Sequence, residues 1–200
     1  MEDKLNNNNE FYDQSFSNID YSKEEITNKV FDSCHFESCD FSDTVFRKCE
    51  FTDCKFVKCN LNLVKVDNSK FTSAKFTDCK LMGVNWTKAY WRGLTLGSPF
   101  EFKRCLLNSS TFYALNQTKI VIEDCRAHDV DFRESNLSGA SLAETDFSNS
   151  LFSNTNLTGA NFVGARNYSI NITKNRVKNA KFCRYEAVSL LELLDIKLEG

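Results

Sequence analysis

The chain carries a large apolar residue at every fifth position over most of its length. The clearest run begins at Phe31 and continues without a slip to Leu61. A period of five matches neither an α-helix, which repeats every 3.6 residues, nor a flat strand, which alternates every two. The period therefore predicts a repeat architecture in which each five-residue unit forms one short side of a coil.

The five-residue series has two phases. The first runs from Ile26 to Leu96, and the second runs from Phe102 to Phe182, one residue later. The change of phase falls at residues 97–101, which contain a glycine and the one proline of the chain, and these residues mark turns or bulges. The series therefore predicts one continuous domain with a one-residue frame shift.

Two positions of each unit are predicted to point inward. If i denotes the large apolar position, residues i and i−2 of an extended segment share one face, and residue i−1 points away. Of the 18 phenylalanines, 17 lie at i when the same period is extended back to Phe11 and Phe16, and eight of the nine cysteines lie at i−2, a slot that accepts small side chains. The predicted core therefore includes Phe31, Phe36, Phe41, Phe46, Phe51, Phe56, Phe71, Phe76, Phe132, Phe147, Phe152 and Phe162.

The start of the repeats is set by the cost of burying charge. Glu24 and Lys29 occupy i−2 positions, where an unpaired charge is expensive, so regular structure is expected from about Ile26. The predicted organisation is a polar tail or cap at 1–20, a repeat domain at 21–184, and a helix and strand at 185–200.

The units resemble those of the pentapeptide-repeat family. The pattern small–Asp/Asn–Leu/Phe–x–x is clearest from 135–139 (SNLSG) to 160–164 (ANFVG). The resemblance implies an all-β fold, a right-handed quadrilateral parallel β-helix with four pentapeptides per coil. Residues twenty apart would then stack at about 4.8 Å, and about eight coils would form a rod roughly 40 Å long.

The C-terminal segment is predicted to cover the open last coil, because an uncovered strand edge is a liability. Residues 185–194 (YEAVSLLELL) carry a helical apolar stripe, and 196–198 alternate like a short strand. This segment also resembles the end of the Qnr-type members of the family, which implies a two-fold homodimer. The alternative is that the helix is only a cap. The candidate interface is Ala187, Leu190, Leu191 and Leu194.

Composition changes this picture little. The formal net charge of −2 indicates no strongly basic protein, so direct nucleic-acid binding is not expected. The first ten residues are polar and no run approaches the roughly 18 apolar residues of a membrane span. We therefore expect a cytoplasmic protein without a membrane partner and with cysteines as thiols.

No catalytic, cofactor or metal site is expected. His35 lies at i−1 and His128 at i+1, both point outward and they are several coils apart, and none of the common catalytic motifs is present, so an enzyme is not predicted. The cysteines at 34–59 loosely satisfy a zinc spacing, but the repeat already explains them. Cys183, at i+1, is the thiol expected to react.

Function is expected on the outer faces, since the interior is occupied. The resemblance to Qnr and MfpA proteins implies a DNA mimic that binds DNA gyrase or topoisomerase IV and modulates quinolone sensitivity. The net charge is −6 over residues 1–60, +5 over 61–126 and −1 over the remainder. The acidic part gives the candidate partner surface Glu37, Asp40, Asp43, Glu50 and Asp53.

The alternative is a general interaction scaffold with another protein partner. A DNA mimic should be acidic along most of its length, and the middle of this rod is basic. Protective Qnr members also carry projecting loops, whereas the frame shift predicts only one extra residue here.

Overall fold

In the computed structural model the chain winds into a right-handed quadrilateral parallel β-helix of about eight coils, as the sequence predicts. The structure describes residue 5, residues 8–91 and 100–192, and residues 194 and 196. All the strand pairs are parallel, and most equivalent positions pair at an interval of twenty residues.

The strands are two to four residues long, because each forms one side of a coil. They are β1 (Glu10–Tyr12), β2 (Ser15–Ser17), β3 (Glu25–Thr27), β4 (Val30–Asp32), β5 (His35–Glu37), β6 (Val45–Arg47), β7 (Glu50–Thr52), β8 (Lys55–Val57), β9 (Lys70–Thr72), β10 (Ala74–Thr77), β11 (Phe100–Lys103), β12 (Val121–Glu123), β13 (Leu151–Phe152), β14 (Asn161–Phe162), β15 (Ser169–Ile170) and β16 (Lys181–Phe182). A 3-10 helix spans Trp86–Lys88, a second spans Glu186–Val188, and helix α1 spans Ser189–Glu192.

The corners between sides depend on short polar residues. The residue at i+2 has a positive φ in most units, as at Asp43 (57°), a conformation that Asn, Asp and Gly tolerate best. The side chain at i−1 accepts a hydrogen bond from the backbone N–H two residues later: Oδ1 of Asp40 is 2.8 Å from the nitrogen of Ser42, and Oδ1 of Asn156 is 3.2 Å from that of Thr158. These contacts give the side chain at i−1 a turn-forming role.

The core consists of stacked aromatic columns. Phe36, Phe56, Phe76 and Phe102 follow one another with ring centroids 4.7–5.1 Å apart and nearly parallel planes. All twelve predicted core phenylalanines are buried. Burying each ring contributes roughly 1.5–3 kcal/mol before entropy is subtracted, so the axis holds the rod together.

The N-terminal boundary at residue 20 was wrong. Strands β1 and β2 pair with β4 and β5, which places residues 10–20 in the first coil. The charged i−2 residues do not prevent this: Glu24 is exposed, and Nζ of Lys29 donates hydrogen bonds to the backbone oxygen of Asn8 (2.6 Å) and to Oδ1 of Asn9 (3.1 Å). A charged side chain at this corner can therefore reach solvent.

The phase change of one residue is present, but the predicted one-residue insertion was too short, because the coil gains one pentapeptide plus one residue. Phe76 pairs with Phe102, 26 positions later, so this coil is six residues longer than the regular ones. The predicted irregularity at 97–101 lies largely outside the described residues. Strand β9 is the last strand of its sheet, whereas β10 continues to β11 and β12.

A second irregularity, near residue 170, escaped the sequence analysis. Phe152 pairs with Ile170, only 18 positions later, although the five-residue series assigned the inward position to Ile172. Tyr168 is buried and Asn167 is exposed with a positive φ. The alternation of Tyr168 and Ile170 with polar neighbours was the feature of the sequence that indicates this change of register.

The core side chains are expected to carry the stability. Phe56→Ala should lower the free energy of unfolding by about 3–5 kcal/mol, because it opens a cavity between Phe36 and Phe76. Lys55→Ala, at the exposed neighbouring position, is the control and should change it little. The measurement is chemical denaturation followed by circular dichroism. Equal shifts for the two variants would contradict the assignment of inside and outside.

Candidate partner-binding surface

The four sides of the rod give four outer faces. Face 1 is the sheet β1-β4-β7-β9, and face 2 is the sheet β2-β5-β8-β10-β11-β12. Face 3 follows the bridged series Asp20, Asp40, Asn60 and Lys80, and face 4 includes the pair β3-β6. An outward residue can therefore be assigned to a face and a coil.

The five predicted acidic residues do not share one face. Glu50 and Asp53 belong to face 1, and Glu37 belongs to face 2. Asp40 and Asp43 belong to face 3, on the opposite side of the quadrilateral from face 1. The structure therefore keeps Glu50 with Asp53 and separates them from the other three.

A larger acidic group forms around that pair. Face 1 of the first three coils carries five carboxylates at positions i−1, i+1 and i+2, and the one basic residue of these units, Lys29 at i−2, is half-buried and hydrogen-bonded to Asn8 and Asn9. We call it the acidic face: Glu10, Asp13, Asp32, Glu50 and Asp53. The predicted partner surface lacked Asp32, and it lacked Glu10 and Asp13 because they were placed in a tail, although Phe11 and Phe16 already follow the five-residue period.

The acidic face lacks the ion pairs that neutralise carboxylates elsewhere. On face 4, Arg47 lies 2.7 Å from Glu25 and 3.4 Å from Asp67. On face 2, Nζ of Lys103 lies 3.0 Å from Glu101. Among the residues that the structure describes, no member of the acidic face lies within 4 Å of a basic group.

Face 3 shows how a carboxylate is held when it has partners. Burial alone would raise the pKa of Asp146, but hydrogen bonds from Asn167 and Ser148 outweigh it and hold the pKa well below its usual range. Nε of Arg166 and Nε2 of His128 each lie 3.3 Å from its Oδ2. The carboxylate of Asp146 therefore already has hydrogen-bond and ion-pair partners, whereas the carboxylates of the acidic face have no ion-pair partner among the described residues.

Comparison with known families agrees with this geometry. The family model described as a pentapeptide repeat region matches residues 29–112, and the model of pentapeptide repeats in eight copies matches residues 128–166. Together they cover more than half of the chain. The chain belongs to the pentapeptide-repeat family.

Solved pentapeptide-repeat structures resemble the whole chain. A trypsin-treated variant of QnrB1, a plasmid-mediated fluoroquinolone resistance protein, is 20% identical over 96% of this chain and 92% of that chain, with a TM-score of 0.67. Full-length QnrB1 is 19% identical over 94% of this chain and 100% of that chain, with a TM-score of 0.56. At this identity the likeness shows the fold alone. No curated protein sequence matches the chain.

The described part of this pentapeptide-repeat chain contains no helix long and apolar enough to cross a membrane. Its longest helical stretch is the pair of short helices at the C-terminus.

The cysteines complete corners of the pentapeptide coils. Sγ of Cys59 donates to the backbone oxygen of Phe36 (3.4 Å), one coil earlier, and Sγ of Cys79 accepts from the backbone nitrogen of Cys59 (3.3 Å). Ser69 makes the same two contacts, with Phe46 and Cys49. The described residues contain no group of three or more His, Cys, Asp or Glu side chains arranged to hold a metal ion.

Burial suppresses the reactivity of these thiols. It raises the pKa of Cys49 to about 11 and that of Cys54 to about 12, so almost none of either is thiolate at neutral pH. Eight cysteines are buried, and Cys183 is half-buried.

Thiol titration tests this description. At pH 8 the native protein should react with an aromatic disulfide reagent at about one thiol per chain, and Cys183→Ser should remove that reaction. The unfolded protein should react at all nine cysteines. Rapid reaction of several thiols in the native Cys183→Ser variant would contradict the burial of the other eight cysteines.

The C-terminal end divides the predicted dimer residues into two groups. Ala187 and Leu190 pack toward the last coil, and α1 contacts β15. Leu191 is 36% exposed, and Leu194 is half-buried. Tyr185 and Val188, six and three residues before Leu191, are also exposed, so the outward side of the cap is apolar.

Proposed function

We propose that this pentapeptide-repeat rod is a non-catalytic protein-binding module whose acidic face occupies the basic DNA-binding surface of DNA gyrase or topoisomerase IV and so modulates quinolone sensitivity. The observation that carries the proposal is the set of five carboxylates on one face with no basic partner among the described residues. Opposite charge on a partner would relieve their mutual repulsion and steer association.

The charge density of the acidic face suits mimicry of duplex DNA. Three coils span two steps of about 4.8 Å, or about 10 Å of rod. Duplex DNA carries one phosphate charge per about 1.7 Å of axis, which gives about six charges over the same length. Five carboxylates on one face therefore present a surface of comparable charge.

The register supports a fixed arrangement of these charges. Glu10 and Glu50 stand above and below Val30, and Asp32 stands beside them in the middle coil. Because strand pairing holds each residue at its level, the carboxylates are positioned before a partner arrives. Preorganised charges lose less entropy on binding.

The likeness to QnrB1 and the long coil also favour the proposal. QnrB1 is described as a fluoroquinolone resistance protein, and fold alone does not transfer that function. The prediction of only one extra residue spoke against mimicry, because protective Qnr members carry projecting loops. That argument fails, because the coil between Phe76 and Phe102 is six residues longer than the regular ones.

A general interaction scaffold is the second candidate. The acidic face ends at the fourth coil, where Lys70 follows Glu50 in register. A partner that contacts only the first three coils need not be a topoisomerase.

Supercoiling by purified gyrase, with and without a fluoroquinolone, separates the two candidates. Micromolar wild-type protein should inhibit supercoiling or restore it in the presence of the drug, and Glu50→Gln with Asp53→Asn should weaken that effect at least tenfold. The matched control is Asp40→Asn with Asp43→Asn, which removes the same charge from face 3 and should leave the effect unchanged. Each variant is first checked by circular dichroism.

Two results would overturn the topoisomerase proposal. One is no effect of the wild type on either gyrase or topoisomerase IV, together with no binding to the gyrase A subunit. The other is equal weakening by the two pairs of substitutions, which would mean that only total charge matters.

We also propose that the outward side of the C-terminal cap forms a two-fold homodimer. Leu191→Arg should shift the mass measured by light scattering from dimer to monomer, because a buried unpaired charge is costly at an interface. Leu63→Arg, at an exposed apolar position in the third coil, should leave the mass unchanged. If the wild-type protein is a monomer, the dimer proposal is wrong and the helix only caps the last coil.

A further inference from the structure

The C-terminal coils carry a charge pattern that the net charge conceals. Residues 147–185 contain six basic residues and no acidic one. Acidic residues on either side of this range offset these positive charges, so the net charge of residues 127–200 is −1. We call the following group the cationic end: Lys174, Arg176, Lys178, Lys181 and Arg184.

The structure brings these side chains together around one end of the rod. Arg176 lies in register with Asn156, and Lys181 lies in register with Asn161. The backbone nitrogen of Gly159 donates to the backbone oxygen of Lys178 (2.8 Å), which places Lys178 in the same last coil. That coil therefore carries positive charge on adjoining sides.

The cationic end is exposed, and although Glu186 lies two residues after Arg184, its cations form no ion pair among the described residues. All five side chains are exposed. Arg166, the sixth basic residue of the range, differs because it pairs with Asp146. Residues two apart in an extended segment are about 6.6 Å apart, so Arg176 and Lys178 repel each other unless an anion lies nearby.

The surface beside these cations offers further hydrogen-bond donors. Asn156 and Asn161 stand one coil above Arg176 and Lys181, and Thr158 stands above Lys178. Nδ2 of Asn156 already donates to Oδ1 of Asn136 (2.9 Å), which orients this ladder along the axis. Phosphate oxygens are commonly contacted by Arg, Lys, Ser, Thr and Asn side chains.

We propose that the cationic end binds the phosphate backbone of duplex DNA without sequence preference. A row of basic residues flanked by neutral amides and a hydroxyl matches a continuous polyanion better than it matches a mixed protein surface. The acidic face lies at the other end of the rod, where DNA is repelled. The expectation of no direct nucleic-acid binding came from averaging charge along the chain.

The expected strength follows from the number of contacts. Four cations on adjoining sides can reach one duplex, so the logarithm of the binding constant should fall with the logarithm of salt concentration with a slope of about −3.6. Sequence-independent binding of this kind has a dissociation constant of about 10⁻⁴ to 10⁻⁶ M near physiological salt. Binding should therefore be measurable at about 50 mM salt.

Fluorescence anisotropy with a labelled 20-base-pair duplex, titrated at several salt concentrations, tests the proposal on the full chain. Lys178→Gln with Lys181→Gln should reduce the slope by about 1.8, since each contact contributes about 0.9. The matched control is Lys55→Gln with Lys58→Gln, two exposed cations equally spaced in the third coil, which should leave the slope unchanged.

The measured binding assigns the cationic end to DNA, to a lipid surface or to neither. No binding of the wild type at 50 mM salt, or equal loss in both pairs of variants, would overturn the proposal. Tighter binding to vesicles containing phosphatidylserine than to the duplex, lost in the Lys178→Gln and Lys181→Gln variant, would assign the cationic end to a lipid surface instead. Glu50→Gln with Asp53→Asn should keep DNA binding, so failure of the topoisomerase proposal can be told from failure of this one.

Discussion

The stacking of equivalent positions one coil apart is the constraint on which the rest of this structure depends. Backbone hydrogen bonds set the rise per coil, and the phenylalanine columns fill that rise with ring centroids 4.7–5.1 Å apart. The same rise applies to the outer positions, so surface side chains also stack in columns. Charges on the surface must then either pair along the axis or repel each other.

Because of this stacking, the position of each surface charge decides how it interacts, and the net charge of the chain does not show this. Arg47 bridges carboxylates of the coils before and after it, and Asp146 is held by groups from neighbouring coils. The acidic face and the cationic end lack such pairing in the described part of the chain. A net charge of −2 therefore conceals a rod that is acidic at one end and basic at the other.

The interior was predictable because it depends on short-range periodicity. The phenylalanines at i and the cysteines at i−2 lie where the five-residue period placed them. The errors arose where a local rule was applied too strictly. Lys29 at i−2 reaches Asn8 and Asn9 instead of ending the fold, and Ile170 replaces Ile172 because the interval falls to 18 residues there before it returns to 20 at Asn156 and Arg176.

The sequence by itself determined which side chains point inward and which point outward, since that choice depends only on neighbours within a pentapeptide. It did not determine which outward residues share a face, because that depends on how many residues close each coil. Only the tertiary structure showed that Phe76 pairs with Phe102 and that Glu10 joins Glu50 on one side while Asp40 faces the other. Coil closure is a long-range property, and it decides the surface on which a partner would act.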